Sequence, residues 1–510
     1  MRRWLWLLLA LHGAWGALYV QRTSVVLEGE RHFTLWDDAM ISMRYARNLA
    51  RGDGLVWNAG GEPVQGISNP GVTLAMAALH VLPLAPAHVP LAFQILSLGL
   101  LGACLWLLAR LAERLSGEAA VGLGAAAAAA CWAPFPVWGL QGADTAAASA
   151  LVLAALAGIA RAEREGRPWP RRSFVWLALG LVVRLDAAVA LGAVGAAGLA
   201  ARRGRAAALF GLGLGALVLA ALLAFGALYY GDPLPNTYYL KATGTPRTLV
   251  LASGLEQSAA LLRGLSWPVV GLAALGLVAA LRGGAAGRAA ALFVLATLAY
   301  DLWVGGDWAT GLPSRFAVPA LPVAFALALA ALWRGRWIER RPAAARGILV
   351  AAGVALGVLA SSGQARSEWY SLTEQTLLKE QNRWLLGFAR YLRAHTAPDT
   401  VVALHWAGIA AYFSERPAVD VLGKSDRHIA RMEVDRFQPG HSKWDWDYVL
   451  HVQRPDVIQG ATRGLAGRLD FRAAYRRAPR DQFFVRRGSE RKLLDPRLSL
   501  TDWGEAGDVR

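Results

Sequence analysis

Trp36-Asp37-Asp38-Ala39-Met40-Ile41-Ser42-Met43-Arg44-Tyr45-Ala46-Arg47 follows closely on a first apolar run at about residues 4–20. Two adjacent carboxylates therefore stand where the chain leaves a hydrophobic span. Charge at a membrane boundary costs free energy unless it is paired or has work to do. The remaining composition agrees with a membrane setting. The 510 residues are 55% hydrophobic with a mean hydropathy of +0.34, the profile of a polytopic membrane protein and not of a soluble enzyme. Several apolar runs approach the ~20 residues that cross a bilayer as a helix. The net charge of +17 falls largely in short loops between these runs. That is a positive-inside pattern, which sets orientation in a lipid bilayer and argues against nucleic acid as a partner. Cys104 and Cys131 lie in apolar segments and read as packing residues, so no disulfide framework or metal site is expected.

Arg2 and Arg3 place the N-terminus inside, and residues 1–20 read as an uncleaved first helix that delivers residues 21–70 outside. Basic loops near 110–114, 161–172, 202–205, 282–288 and 334–346 belong inside. Residue 70 starts outside and the loop at 110 ends inside, which allows one crossing, over about 89–111. The short stretch at about 71–85, broken by Pro83 and Pro86, is placed flat on the outer surface. Residues 173–201 lie between two inside loops, which excludes a single crossing. Two short helices that rise and turn back satisfy both ends, with Arg184 and Asp186 at the apex. Such a pair is either functional or a salt bridge that staples the hairpin. Further spans at about 206–228, 265–281, 288–304, 316–333 and 347–363 bring the total to about eleven membrane helices, the hairpin counting as two. Near residue 364 the long apolar runs cease. Residues 1–363 are the transmembrane domain, and 364–510 read as an extracytoplasmic soluble α/β domain with a helix over about 367–395 and a strand at 401–404. The unusual polar motifs all fall on the outer face.

On a helix, Asp37 shares a face with Ile41, Arg44 and Asn48, while Asp38 shares the neighbouring face with Ser42, Tyr45 and Leu49. One carboxylate can face a substrate as a general base while the other caps the helix or binds Arg44 or Arg47. The same outer loop carries Gly52-Asp53-Gly54-Leu55-Val56-Trp57-Asn58, Glu62-Pro63-Val64-Gln65-Gly66 and Ser68-Asn69-Pro70. These offer an aromatic plate and hydrogen-bonding groups suited to a sugar, with Glu62 and Asn69 as candidates. Gly305-Gly306-Asp307-Trp308 precedes Ser314-Arg315-Phe316, and an arginine fork suits a phosphate. The loop from Gly231 through Pro233-Leu234-Pro235-Asn236-Thr237 to Lys241 adds aromatics and a cation. In the tail, Asp420-Val421-Leu422-Gly423-Lys424-Ser425-Asp426-Arg427-His428 and Gly440-His441-Ser442-Lys443-Trp444-Asp445 form a polar, substrate-facing surface. His405, His428 and His441 match no zinc spacing. The chain has no P-loop, dinucleotide fingerprint or nucleophile elbow, so a transferred group would arrive on a lipid.

Taken together, the Asp37–Ala46 stretch, Gly54-Leu55-Val56-Trp57-Asn58, Gly305-Gly306-Asp307 before Arg315-Phe316, Pro233–Thr237 and Gly440-His441-Ser442-Lys443 resemble membrane glycosyltransferases of the GT-C type. The nearest likeness is to terminal arabinofuranosyltransferases of the AftB type and related ZomB-type proteins. The resemblance implies a GT-C-like fold in the bacterial cytoplasmic membrane. It also implies inverting transfer of a sugar, arabinofuranose in that group, from a polyprenyl-phosphate donor to a cell-envelope glycan acceptor on the outer face. It maps the base to Asp37 or Asp38, with Asp38 preferred because Ser42 and Tyr45 follow on its face. Arg184, Lys241 and Arg315 would offset the donor phosphate charge. Arg44, Glu62, Asn69, Asp144, Asp186, Asp307, His441 and Lys443 would contact sugar or acceptor, Asp144 standing where the group carries a glutamate. No cofactor is required, although a divalent cation on the phosphate would be compatible. The alternative is a non-catalytic GT-C-like factor in flagellar or envelope assembly. A lipid-linked sugar transporter would place its binding groups nearer the midplane.

Overall fold

A computed structural model describes residues 2–307, 312–334, 342–361, 363–371, 376–460, 464–479 and 482–503. Trp308 of the Gly305–Trp308 motif lies outside the described residues. The fold is mainly helical. α1 (Arg2–Thr23) leads through an antiparallel hairpin, β1 (Val25–Leu27) and β2 (Glu30–His32), into α2 (Asp37–Arg51) and α3 (Pro70–His80). There follow α4 (Val89–Ser116), α5 (Ala119–Cys131), α6 (Pro134–Leu140), α7 (Thr145–Arg164), α8 (Arg171–Val183), α9 (Ala187–Ala200) and α10 (Arg205–Phe225). The apolar part ends with α11 (Asn236–Ala242), α12 (Arg247–Leu265), α13 (Trp267–Leu281), α14 (Ala285–Trp303), α15 (Leu321–Trp333) and α16 (Pro342–Leu359).

Among the described residues, four helices are long and apolar enough to cross a bilayer: α4, α7, α10 with its continuation to Tyr230, and α14. The count reaches six if the bent pairs α5–α6 (62°) and α12–α13 (104°) each make one span. Eleven spans were expected, and the shortfall has local causes. α3, α9 and α15 are apolar but shorter than a bilayer crossing. His12, Gln21 and three tryptophans lower the mean apolarity of α1, which stays outside the set. The expected hairpin is present as α8 and α9, 13 and 14 residues long, with Arg184 and Asp186 in the turn between them. Alanine-rich α5 packs closely against α4, α15 and α16, as small side chains allow.

The tail begins with α17 (Gly363–Tyr370) and α18 (Leu377–His395). It then builds a five-stranded mixed sheet from β3 (Val402–Leu404), β4 (Ala418–Asp420), β5 (Val457–Gln459), β6 (Tyr475–Arg477) and β7 (Phe483–Arg486), in the order β4-β3-β5-β7-β6. β4, β3 and β5 run parallel, and β7 and β6 complete the sheet antiparallel. Strand side chains alternate between faces. Ala403, Ile458 and Phe484 enter a core made of tail residues alone, with Phe471 and Trp446. Val402, Leu404, Val457 and Val485 face the other way, into a core shared with Ile41 and Tyr45 of α2 and with Trp57 and Ile67 of the segment between α2 and α3. α2 also buries Met40 and Met43 against Leu385, Leu386 and Tyr412. The tail and residues 37–67 are therefore packed as one body.

Candidate active site

The first turn of α2 presents its two carboxylates in different directions. Asp37, 3% exposed, turns toward the tail, where its oxygens accept hydrogen bonds from the Gly408 and Ile409 N–H groups at 3.1 and 2.8 Å. Glycine at 408 is required by this approach, since a Cβ there would stand 1.7 Å from the Asp37 carbonyl oxygen. Burial pushes the Asp37 carboxyl up to about 6, against those two hydrogen bonds and nearby Lys424.

Asp38 turns the other way, into a ring of charges drawn from four separate segments. Its Oδ1 accepts from Lys424 Nζ at 2.6 Å, and its Oδ2 lies 3.7 Å from an Arg315 nitrogen. Arg315 in turn pairs with Asp307 at 2.8 Å, and Asp307 lies 3.9 Å from Lys241 Nζ. Burial disfavours the charged form of Asp38, but Lys424, Arg315 and Lys241 outweigh it and hold the carboxyl well below the usual carboxylate range. Burial likewise lowers Lys241. For Lys424 the same penalty is overcome by Asp38 and Asp420, and its ammonium is raised.

Local structure explains how these groups meet. Gly305 and Gly306 have φ of 87° and 76°, a left-handed turn that delivers Asp307 below the end of α14. α11 contributes twice. Lys241 stands in its last turn, while Asn236 at its start donates to the carbonyls of Gly423, Lys424 and Asp426 and so fixes the turn that carries Lys424. Every carboxylate oxygen of Asp38 and Asp307 already faces a cation. A divalent ion would have to displace Lys424, Arg315 or Lys241, so these residues fit a metal poorly.

A second charge cluster sits at the hairpin apex. Arg184 grips Asp186 with two nitrogens at 2.8 and 2.6 Å and reaches Asp144 at 2.5 Å. Its guanidinium lies 4.9 Å from the Phe316 ring centre, next to Arg315. Between the two clusters opens a narrow, mainly apolar cleft of about 50 Å³, lined by Trp176, Arg184, Asp186, Tyr300, Arg315 and Phe316 among others.

The other expected residues are placed as follows. His441 lies in the field of Lys424, Asp38 and Lys241, and burial lowers its imidazole to about 4. Arg44 is 3% exposed and donates to the carbonyls of Trp57, Ala411 and Arg416 and to Asn58, which ties α2 to the tail. Lys443 is buried with its ammonium on the carbonyls of Tyr239, Thr243 and Ala430. Asn69 accepts from Ser42 at 3.0 Å. Glu62 pairs with Arg427 at 2.7 Å on the rim of a separate polar cleft. The ring therefore gathers Asp38, Lys241, Asp307 and Arg315 beside His441. Asp144, Asp186 and Arg184 form the apex, and Arg44, Glu62, Asn69 and Lys443 stand outside both. Sequence reasoning singled out neither Lys424 nor Asp420, the latter buried and pushed up to about 6 by that burial. The one available signal was Gly423-Lys424-Ser425-Asp426, a lysine in a polar turn.

Three comparisons bear on the chain. Residues 373–497 match a family model described as a domain of unknown function (DUF8728). No curated protein matches the sequence. The fold is similar to the crystal structure of ArnT from Cupriavidus metallidurans bound to undecaprenyl phosphate, with a TM-score of 0.55 at 13% identity over 89% of this chain and 93% of that one. The apo structure of the same ArnT gives 0.56 at 13% identity over 90% and 93%. At this identity the likeness establishes the fold alone.

Proposed function

We propose that this chain is a polyprenyl-phosphate-dependent glycosyltransferase. It would act at the outer face of the bacterial cytoplasmic membrane, with its N-terminus inside and its tail outside. The observation that carries the reading is the ring itself. Three cations and two carboxylates from four distant segments converge, and one of them, Arg315, also lines an apolar cleft, on a fold similar to that of a protein crystallised with undecaprenyl phosphate.

In this reading the lipid lies along the cleft and its phosphate meets Arg315, Lys241 and Lys424. An acceptor hydroxyl oxygen attacks the anomeric carbon, and the carbon–oxygen bond to the phosphate breaks with its electron pair leaving on phosphate. The hydroxyl proton goes to Asp38. A carboxylate held so low is a weak base. The incoming phosphodiester monoanion competes for the same cations and so raises the basicity of Asp38 when the donor is in place, and the cations take up the second negative charge that develops on phosphate as the bond breaks. Asp307 orients Arg315 and Lys241. Asp37, with both oxygens on backbone N–H groups, fixes α2 against the tail. Arg184, Asp144 and Asp186 hold the cleft wall next to Arg315. Arabinofuranose as the sugar and an envelope glycan as the acceptor follow from the sequence resemblance.

The test is sugar transfer by the purified protein in detergent from a panel of polyprenyl-phosphate sugars, with Asp38→Asn and Asp37→Asn beside the wild type. Transfer abolished by Asp38→Asn and retained by Asp37→Asn is the expected result. Full transfer by Asp38→Asn would overturn the assignment of the base.

A further inference from the structure

At the end of the helix bundle opposite the charge ring lies a cavity of about 290 Å³, walled by α4, α7, α13, α14 and α15. Two helices measure the separation. α14 starts beside the cavity at Ala286 and leads to Asp307 of the ring, and its 19 residues span about 28 Å. α7 starts at the hairpin apex beside Asp144 and ends at the cavity with Glu163 and Arg164, after 20 residues. The cavity draws on four of the basic stretches that charge parity assigns to the inside, through Arg114, Arg164, Gly283 and Arg334. At Gly276 a Cβ would stand 2.5 Å from the Ala328 nitrogen, so α13 and α15 touch there and close the cavity on its membrane side.

Three guanidiniums stand around this space. A Cβ at Gly117 would lie 3.7 Å from Arg164 Nη2, and one at Gly283 would lie 3.7 Å from Arg334 Nη1, both glycines being part of the lining. Arg114 donates to the Ala157 carbonyl at 2.7 Å, Arg164 to that of Glu113 at 3.2 Å and Arg334 to that of Leu115 at 3.1 Å. A guanidinium has five N–H donors, and each of these bonds uses one. The carboxylates of this end are already taken. Glu113 pairs with Arg110, Glu118 with Arg346, and Glu165 with Arg161 and Arg167. Glu163, in the cavity wall, accepts from the Ala286 N–H at the start of α14. Among the described residues, Arg114, Arg164 and Arg334 have no carboxylate partner.

This lining selects a ligand. Several planar forks around one space suit an anion with oxygens on more than one side, as a phosphate has. The volume lies at the lower edge of the ~300–1,000 Å³ typical of small-molecule sites, which suits a phosphate carrying a glycerol better than a bare phosphate. α13 carries exposed Leu275, Val278 and Leu281 next to Gly276, Ala279 and Ala280 of the lining, so an apolar surface leads from the cavity to the lipid phase. Basic pockets between membrane helices on the cytoplasmic side hold anionic headgroups in this way. We propose that the cavity binds the headgroup of an anionic glycerophospholipid of the cytoplasmic leaflet, with its phosphate among Arg114, Arg164 and Arg334 and its acyl chains along α13. The choice of leaflet rests on the orientation proposed above.

The test is native mass spectrometry of the delipidated full-length protein in detergent. It is titrated with phosphatidylglycerol, with phosphatidylcholine of the same chains, and with glycerol 3-phosphate. Expected is a phosphatidylglycerol site roughly tenfold tighter than any for phosphatidylcholine. Its affinity should fall roughly fivefold in Arg334→Gln, which removes one cation. A similar fall is expected in Ala279→Leu, which fills the cavity and leaves every charge in place. Arg202→Gln, in an exposed basic loop outside the cavity, should leave the affinity unchanged. Unfolding of the lipid-free variants at the wild-type temperature shows that they are folded. Equal weakening by Arg202→Gln and Arg334→Gln would mean a general attraction to positive loops and overturn the site. Equal affinity for phosphatidylcholine, or binding indifferent to Ala279→Leu, overturns it as well. Displacement of the lipid by equimolar glycerol 3-phosphate would assign the cavity to a soluble phosphate and overturn the lipid. No sugar donor is present in any arm, so the outcome is separate from the glycosyltransferase reading.

Discussion

The hairpin apex and the charge ring are neighbours built from the same residue types, yet their balance is opposite. At the apex one guanidinium is shared by two carboxylates, Asp144 and Asp186, all within 2.8 Å, and no cation is left over. In the ring, two carboxylates are shared by Arg315, Lys241 and Lys424, with separations as long as 3.7 and 3.9 Å. A buried cluster that closes on itself is a brace, and breaking it costs stability. One that keeps a surplus positive charge and loose distances is what the proposed phosphate site requires. The difference separates support from chemistry more sharply than burial does.

The largest effect expected is on the ring. Asp38→Asn should lower transfer by ~10²–10⁴-fold, the usual worth of a positioned base, together with a loss of thermal stability, because the fold holds this carboxylate charged against Lys424 and Arg315. Transfer and thermal unfolding of the same preparation decide it, and a variant that is active but unstable would make Asp38 a brace like Asp186. Next comes the apex, where Arg184→Gln leaves two carboxylates facing each other. It should destabilise the protein by ~3–5 kcal/mol, as removal of one partner of a buried ion pair does. A loss below about 1 kcal/mol in detergent unfolding would place the apex among solvent-screened pairs and erase the contrast. Third, Arg315→Lys and Lys424→Met should each weaken undecaprenyl phosphate binding by roughly tenfold, about 1.4 kcal/mol. Unchanged affinity in a lipid-binding titration would mean that the surplus charge does not serve the phosphate.

The smallest effect concerns Asp37. Its folded-state carboxyl is raised to about 6 by burial, from an ordinary value near 4. Its protonated form is therefore favoured by folding. The resulting stability is complete below about pH 4 and is lost as pH rises through about 6. The advantage of wild type over Asp37→Asn in thermal unfolding should shrink between those values. An advantage that grows with pH would show Asp37 to be an ion-pair partner like Asp38.

Much of this was legible in the sequence because it depends on short range. The Asp37-Asp38 pair at the head of an amphipathic helix, and their divergence by one residue's rotation, follow from helical geometry alone. The hairpin followed from charge parity at both its ends. Lys424 was not legible, since its partner Asp38 is 386 positions away in sequence. Arg44 and Lys443 looked like substrate contacts because the sequence cannot show which charged face a distant segment will cover. Each is instead spent on backbone carbonyls. The helix count fell short because bends and short helices break up apolar runs that composition reads as continuous.

The shared core beneath the sheet bears on how such proteins can be taken apart. The matched segment 373–497 is a unit of sequence, but Ile41, Tyr45, Trp57 and Ile67 fill one side of its sheet. Expressed alone, it would present an open apolar furrow where α2 belongs, and an exposed surface of that kind invites aggregation. Transplanted onto another membrane anchor, it would need to bring α2 and the loop after it as well. Recombination between relatives should therefore exchange residues 36–70 and the tail together, as two halves of one module separated by some three hundred residues of membrane scaffold.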